Sequence, residues 1–328
     1  MLVTGGAGFI GSHVVDALLA RGDDVTVVDN LSTGRRTNLP GHDPRLRFIE
    51  ADLSEALGAM GPGERFEQIY HFAAAVGVSL ILEHPIEAIE TNVNETAALL
   101  RFACCRSDSG GPVPTLVASS SEVYGKGVRE TFSEDDDVVY GPTTRLRWSY
   151  ANTKAIDEFL ALAYHDRFGL PAVICRFFNI VGPRQVGRYG MVLPRFVSAA
   201  LGGEDLAVFG DGSQSRCFCD VRDVVPVLGR LLETASCHGR VFNVGAQTPI
   251  SILDLARAVV RVTGSSSDIR CVAYEEAYRA GFEDLARRRP NLERIRSAVG
   301  FEPKVSLEQS IRDIAEQIRE ENRPDGAR

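Results

Sequence analysis

Apolar and polar positions alternate in blocks along this chain, and the blocks change period. Residues 2–4 are a short apolar run, followed by a glycine turn and a helix-like stretch from Ser12 to Ala20. A second apolar run, Val25 to Val28, ends in Asp29. Strand-like segments recur at Arg47–Leu53, Gln68–Ala74, Thr115–Ser119 and Ala172–Phe177. Between them lie helical stretches at 85–105 and 155–168; the second has apolar residues at Ile156, Phe159, Leu160, Leu162 and Ala163, the spacing of one helix face. Strands alternating with helices predict an α/β fold, a doubly wound parallel sheet covered on both faces. Ligands of such sheets bind beyond the carboxyl ends of the strands.

The first turn reads Gly5-Gly6-Ala7-Gly8-Phe9-Ile10-Gly11, with glycines three apart at 5, 8 and 11. Glycine lets the backbone approach a pyrophosphate, and the following helix offers free N–H groups and the positive end of its dipole. Asp29 stands 18 residues after Gly11, where a carboxylate accepts from an adenosine ribose 2′-OH. The same charge repels a 2′-phosphate, so NAD is expected rather than NADP. The end of Arg47–Leu53 is placed to reach the adenine. The run through Phe72, Ala73 and Ala74 ends in small residues that leave room for a cofactor. His71 reads as a packed or capping histidine.

Tyr150 and Lys154 are four residues apart in Ser149-Tyr150-Ala151-Asn152-Thr153-Lys154, and on a helix they share a face. A neighbouring ammonium favours phenolate over phenol, so Lys154 is expected to lower the pKa of Tyr150 and make it a base. About 30 residues earlier a strand ends in Ser119-Ser120-Ser121-Glu122, which sets hydroxyls at the mouth of the cleft.

Bulk composition narrows the classes. With 328 residues the chain suits one large or two modest domains, and a net charge of −8 argues against a nucleic-acid partner. No apolar run of about 18 residues predicts a membrane span, and the glycine turn follows Met1 too closely for a signal peptide, so a cytoplasmic location is expected. Only three of the 36 basic residues are lysines, Lys126, Lys154 and Lys304. The seven cysteines form no C-x-x-C pair and have no histidine at metal-ligand spacing, so no metal site is expected.

Taken together, Gly5-x-x-Gly8-x-x-Gly11, Ser120 and Tyr150-x-x-x-Lys154 resemble the extended short-chain dehydrogenase/reductases, in their nucleotide-sugar epimerase, dehydratase and decarboxylase branch. The resemblance implies a Rossmann-type NAD-binding domain over 1–178 and 218–244, and a smaller α/β nucleotide-sugar domain over 179–217 and 245–328. It implies Ser120, Tyr150 and Lys154 as the catalytic set. Asp29, Asn30, Ser32 and Gly34 match the adenosine-ribose segment, and Asp52 and Leu53 the adenine contact. Gly5, Gly8, Phe9, Ile10, Gly11, Phe72, Ala73, Ala74, Asn92 and Ser119 complete the cofactor set. For a UDP-sugar, Asn179 and Arg216 match diphosphate positions, and Val208 and Phe209 lie where the base packs. Ser121, Glu122 and Arg288 face the sugar. A homodimer pairing through 85–105 and 155–168 is also implied.

In this branch hydride leaves sugar C4 while the tyrosine takes the 4-OH proton, and the 4-keto sugar then decides the product. Dehydratases carry an Asp-Glu pair where Ser121-Glu122 stands, which argues against dehydration. Arg188 lies on a loop that, in uronate-handling epimerases, grips the C6 carboxylate and prevents its loss. On that basis the expected activity is C4 epimerisation of UDP-glucuronate. UDP-glucuronate decarboxylation is the alternative, carried by Ser121, Glu122, Arg288 and Arg147-Trp148. A neutral UDP-glucose 4-epimerase and a non-catalytic dinucleotide sensor are the further alternatives.

Overall fold

The structure is a computed structural model that describes residues 1–61, 63–76, 81, 83–105, 111–127, 129–187, 191–273 and 288–322. Seven parallel strands form the central sheet. They are β1 (Leu2–Thr4), β2 (Val25–Asp29), β3 (Leu46–Glu50), β4 (Ile69–His71), β5 (Thr115–Ser120), β6 (Ala172–Phe177) and β11 (Arg240–Val244). Their spatial order is β11-β6-β5-β4-β1-β2-β3, so the winding reverses between β1 and β4. Val3 pairs with Val27 on one side and Tyr70 on the other, so this central strand carries the switch point where a doubly wound sheet opens a crevice.

Alternation along β1 explains the two layers. Val3 points to a core shared with α1 (Phe9–Arg21) and α6 (Val221–Glu233), whereas Leu2 points to one shared with α2 (Leu53–Ala59), α3 (Pro85–Ala103) and α4 (Arg147–Phe168). Helix α4 starts at Arg147, ahead of the Tyr150–Lys154 pair, and ends on Gly169 in the left-handed conformation.

The second half adds the short pairs β7–β10 (Ile180–Val181, Cys219–Asp220), β8–β13 (Leu206–Phe209, Ile269–Val272) and β9–β12 (Ser215–Cys217, Pro249–Ser251). A separate apolar core joins α5 (Val192–Gly202), α7 (Ile252–Thr263) and α9 (Leu307–Glu321). The expected division of the chain needs one change. Leu292, Ile295 and Phe301, around the short helix α8 (Glu293–Val299), pack into the first core beside α6, so this stretch of 245–328 belongs with the sheet. That return brings Arg288 to the ends of the sheet strands.

Candidate active site

A single cavity of about 1000 Å³ runs from the turn after β1 to the second core. At its cofactor end the glycine turn is tight. Gly5 has φ +67°, and a Cβ there would lie 2.6 Å from Ala73 N. A Cβ at Gly11 would lie 2.2 Å from the Gly5 carbonyl, so α1 seats directly on the turn. No side chain caps α1, and Gly8, Phe9, Ile10 and Gly11 line the cavity, an arrangement suited to a diphosphate.

Asp29 ends β2 and lines the same space. Its carboxylate accepts from Ala7 N at 2.9 Å and Leu31 N at 2.8 Å. Burial raises its pKa above the usual carboxylate value, opposed by these backbone donors. Asn30 donates to Asp52 Oδ1 at 2.7 Å, and its own Oδ1 accepts from Ser32 N at 3.0 Å. Asn30, Ser32, Asp52, Leu53, Phe72, Ala73, Ala74 and Ser119 all face the cavity. These residues fit a dinucleotide: a helix N-terminus for diphosphate, an acceptor for ribose, and a small-walled slot.

Two expected cofactor residues sit behind the wall. Asn92 is buried, accepting from Ala75 N at 2.8 Å and donating to Thr153 Oγ1 at 3.3 Å, so it fixes the loop after β4 to α4. Gly34 packs against the Ala7 backbone and the Asp29 carboxylate instead of lining the cavity. His71 is buried between Thr4 Oγ1 at 2.7 Å and Thr96 Oγ1 at 3.0 Å; burial, then the Lys154 charge, pushes its pKa down to about 3. The imidazole is a neutral packed group.

Past the switch point stand Ser120, Tyr150 and Lys154, all on the cavity wall. The Ser120 hydroxyl favours the ionised form of Tyr150. The expectation that Lys154 makes this phenol acidic needs correction. Lys154 Nζ lies 3.1 Å from Asp157 Oδ2, with side-chain exposures of 3% and 0%, so its charge is already matched. Burial, then the charge of Glu122, holds Tyr150 well above the ordinary tyrosine range, and only the Ser120 hydroxyl pulls the other way. The sequence did carry a mark of Asp157, three residues beyond Lys154 on one helix face.

Opposite Tyr150, Glu122 binds Arg288 Nη1 at 2.5 Å and Arg147 Nη2 at 3.5 Å. Burial works against its ionisation, but Arg288, Arg147 and Arg216 outweigh burial and hold the carboxyl below its usual range. Three guanidiniums around one carboxylate leave net positive charge at this end, which attracts an anionic ligand. Among the described residues, buried Arg288 Nε has no hydrogen-bond partner. Arg147 spans Glu122 and the buried Trp148 ring, 5.1 Å from its centre.

The far end holds Asn179, Phe209 and Arg216, with Ser121 and Glu122 also on the wall. Arg195, which the motifs did not single out, stacks over Phe209 at 4.3 Å. Val208 was expected beside Phe209 but faces the other way, fully buried in the second core. Strand alternation forces this: two neighbours on β8 cannot both face one ligand. Arg188 lies outside the described residues. Among the described residues no cluster could hold a metal ion, and no helix is long and apolar enough to cross a membrane.

Residues 1–245 match the family described as NAD dependent epimerase/dehydratase. The chain is 40% identical over 323 residues to a UDP-N-acetyl-alpha-D-glucosaminuronate decarboxylase of Bacillus cytotoxicus, covering 97% of each protein. It is 34% identical over 324 residues to UDP-glucuronic acid decarboxylase 2 of Arabidopsis thaliana, covering 98% of this chain and 68% of that one. Among solved structures, a dTDP-glucose 4,6-dehydratase from Streptomyces venezuelae with NAD bound superposes with a TM-score of 0.84 at 30% identity, over 97% of this chain and 96% of that one. The chain belongs to the NAD dependent epimerase/dehydratase family, and its cofactor is NAD. The expected preference for 4-epimerisation is not supported; the relatives favour the decarboxylase alternative.

Proposed function

We propose that this family member is a UDP-hexuronate decarboxylase, acting on UDP-N-acetylglucosaminuronate or UDP-glucuronate. The observation that carries the reading is the Glu122–Arg288 pair beside Tyr150, with both residues on the cavity wall. Arginine suits the task because its planar fork meets a carboxylate through parallel bonds. Two relatives whose names give a uronate decarboxylase lend independent support.

NAD supplies a hydride acceptor for sugar C4 when bound. Tyr150 takes the 4-OH proton, and Ser120, on the same cavity wall, holds the same oxygen. The resulting 4-keto uronate is a β-keto acid. Its C5–C6 bond breaks with the electron pair moving into the C4 carbonyl, which releases carbon dioxide and leaves an enolate. A solvent proton at C5, return of hydride to C4 and return of the Tyr150 proton complete a UDP-pentose. Glu122, kept ionised by its arginines, orients Arg288 and Arg147 around the C6 carboxylate. Arg216 and Asn179 serve the diphosphate, and Phe209, stacked by Arg195, serves the base.

The test supplies UDP-N-acetylglucosaminuronate and UDP-glucuronate, each labelled in the carboxyl carbon, to the NAD-loaded protein. Release of labelled carbon dioxide from either supports the reading, and the faster one names the substrate. Retention of the label in a C4 epimer rejects it. We also propose that the protein is a homodimer, supported by exposed Ile86 and Ile89 on α3 and Ile156 and Phe159 on α4. A monomer by sedimentation at micromolar concentration would refute the pairing.

A further inference from the structure

Lys154 and Tyr150 lie one turn apart on α4, and Asp157 lies one turn further along the same face. The Asp157 side chain is completely buried, with Oδ2 3.1 Å from Lys154 Nζ. Its Oδ1 is buried and makes no hydrogen bond, so Lys154 is its chief partner. Burial raises its carboxyl above the usual range, opposed first by the Lys154 charge and then by the Thr96 hydroxyl behind it. Thr96 in turn meets His71 Nε2 at 3.0 Å, and His71 Nδ1 meets Thr4 at 2.7 Å. This chain ends inside the sheet, where Thr4 and His71 are buried, and so it fixes Asp157 without leading to solvent.

We propose that Asp157 is a positioning residue, a buried counter-ion that holds the Lys154 ammonium and limits how much of its charge reaches Tyr150. The inference rests on Tyr150 as the base of the reaction proposed above. A carboxylate in contact with an ammonium cancels most of the ammonium's field a turn away. Other charges facing this trio are accounted for. Glu122, on the turn after β5, still adds its charge at Tyr150 although Arg288 and Arg147 bind it, and a substitution at Asp157 leaves that contribution in place. Glu158, next to Asp157, is bound by Arg176 from β6 at 2.7 Å and by the Ser119 hydroxyl. His71 on β4 is neutral. Asp157 is therefore the anion directly paired with Lys154.

The proposal predicts that Asp157→Asn leaves Lys154 charged and turns its full field on the phenol. In NAD-loaded protein, the acid limb of the kcat against pH profile should then move down by about one unit. The tyrosinate absorbance assigned to Tyr150, by subtraction of the Tyr150→Phe titration, should move the same way. A merely structural aspartate would lower thermal stability and kcat at every pH while leaving the limb in place. If the Asn variant does not fold, Asp157→Ser removes the same charge with less volume. A limb and absorbance titration that stay put, or that move up, in a folded variant overturn the proposal. The base itself is tested separately: full turnover in Tyr150→Phe removes Tyr150 from the reaction without bearing on where Asp157 holds Lys154.

Discussion

The two ends of the cavity are built in different ways. The cofactor end comes from consecutive segments: β1, the glycine turn, α1 and β2 lie within the first 29 residues, and Asp29 binds the backbone of that same turn. The sugar end is assembled from remote pieces. Glu122 follows β5, Arg147 opens α4, and Arg288 returns from the last sixth of the chain. The contiguous end suits a cofactor common to a whole family, whereas the proposed decarboxylation rests on the long-range contact.

Substitutions at the two ends should therefore fail differently, and the junction between them should fail most. Tyr150→Phe removes the proton acceptor and should lower kcat by about 10²–10⁴ with little change in NAD affinity, read by steady-state kinetics and cofactor titration. Next in size, Arg288→Ala should reduce kcat/KM for a UDP-uronate by roughly 10²–10³, the scale of truncating one member of a buried charge pair. UDP binding, read by calorimetry, should change far less. Its stability loss should fall below the roughly 3–5 kcal/mol of a fully buried broken pair, because Arg147 stays with Glu122. Equal losses for uronate and for UDP would erase the contrast between the ends. Smallest, Asp29→Asn should weaken NAD about tenfold and narrow the preference over NADP, with the UDP-uronate KM unchanged. A large change in uronate KM would mean that the cofactor end is not separate.

The same contrast explains what the sequence made legible. Period and spacing alone indicate the strands, the turn and Asp29, because each is fixed by neighbours a few residues away. Val208 was misplaced by one position of strand alternation, and Asn92 by taking a polar helix residue as a ligand when its amide had backbone to satisfy. The Lys154–Asp157 pair is visible as an i, i+3 spacing, but such pairs usually sit in solvent. Only the packing of α4 against α3 and β5 makes this one buried and able to redirect the charge of Lys154. Glu122 and Arg288 are 166 positions apart, and no local pattern joins them; the family resemblance alone set them side by side before the fold did.

The most direct test is a proton NMR time course of the NAD-loaded protein with a UDP-hexuronate in heavy water. Decarboxylation through a C5 enolate predicts a UDP-pentose carrying solvent deuterium at C5. A six-carbon UDP-uronate inverted at C4, with its original hydrogen at C5, would contradict it.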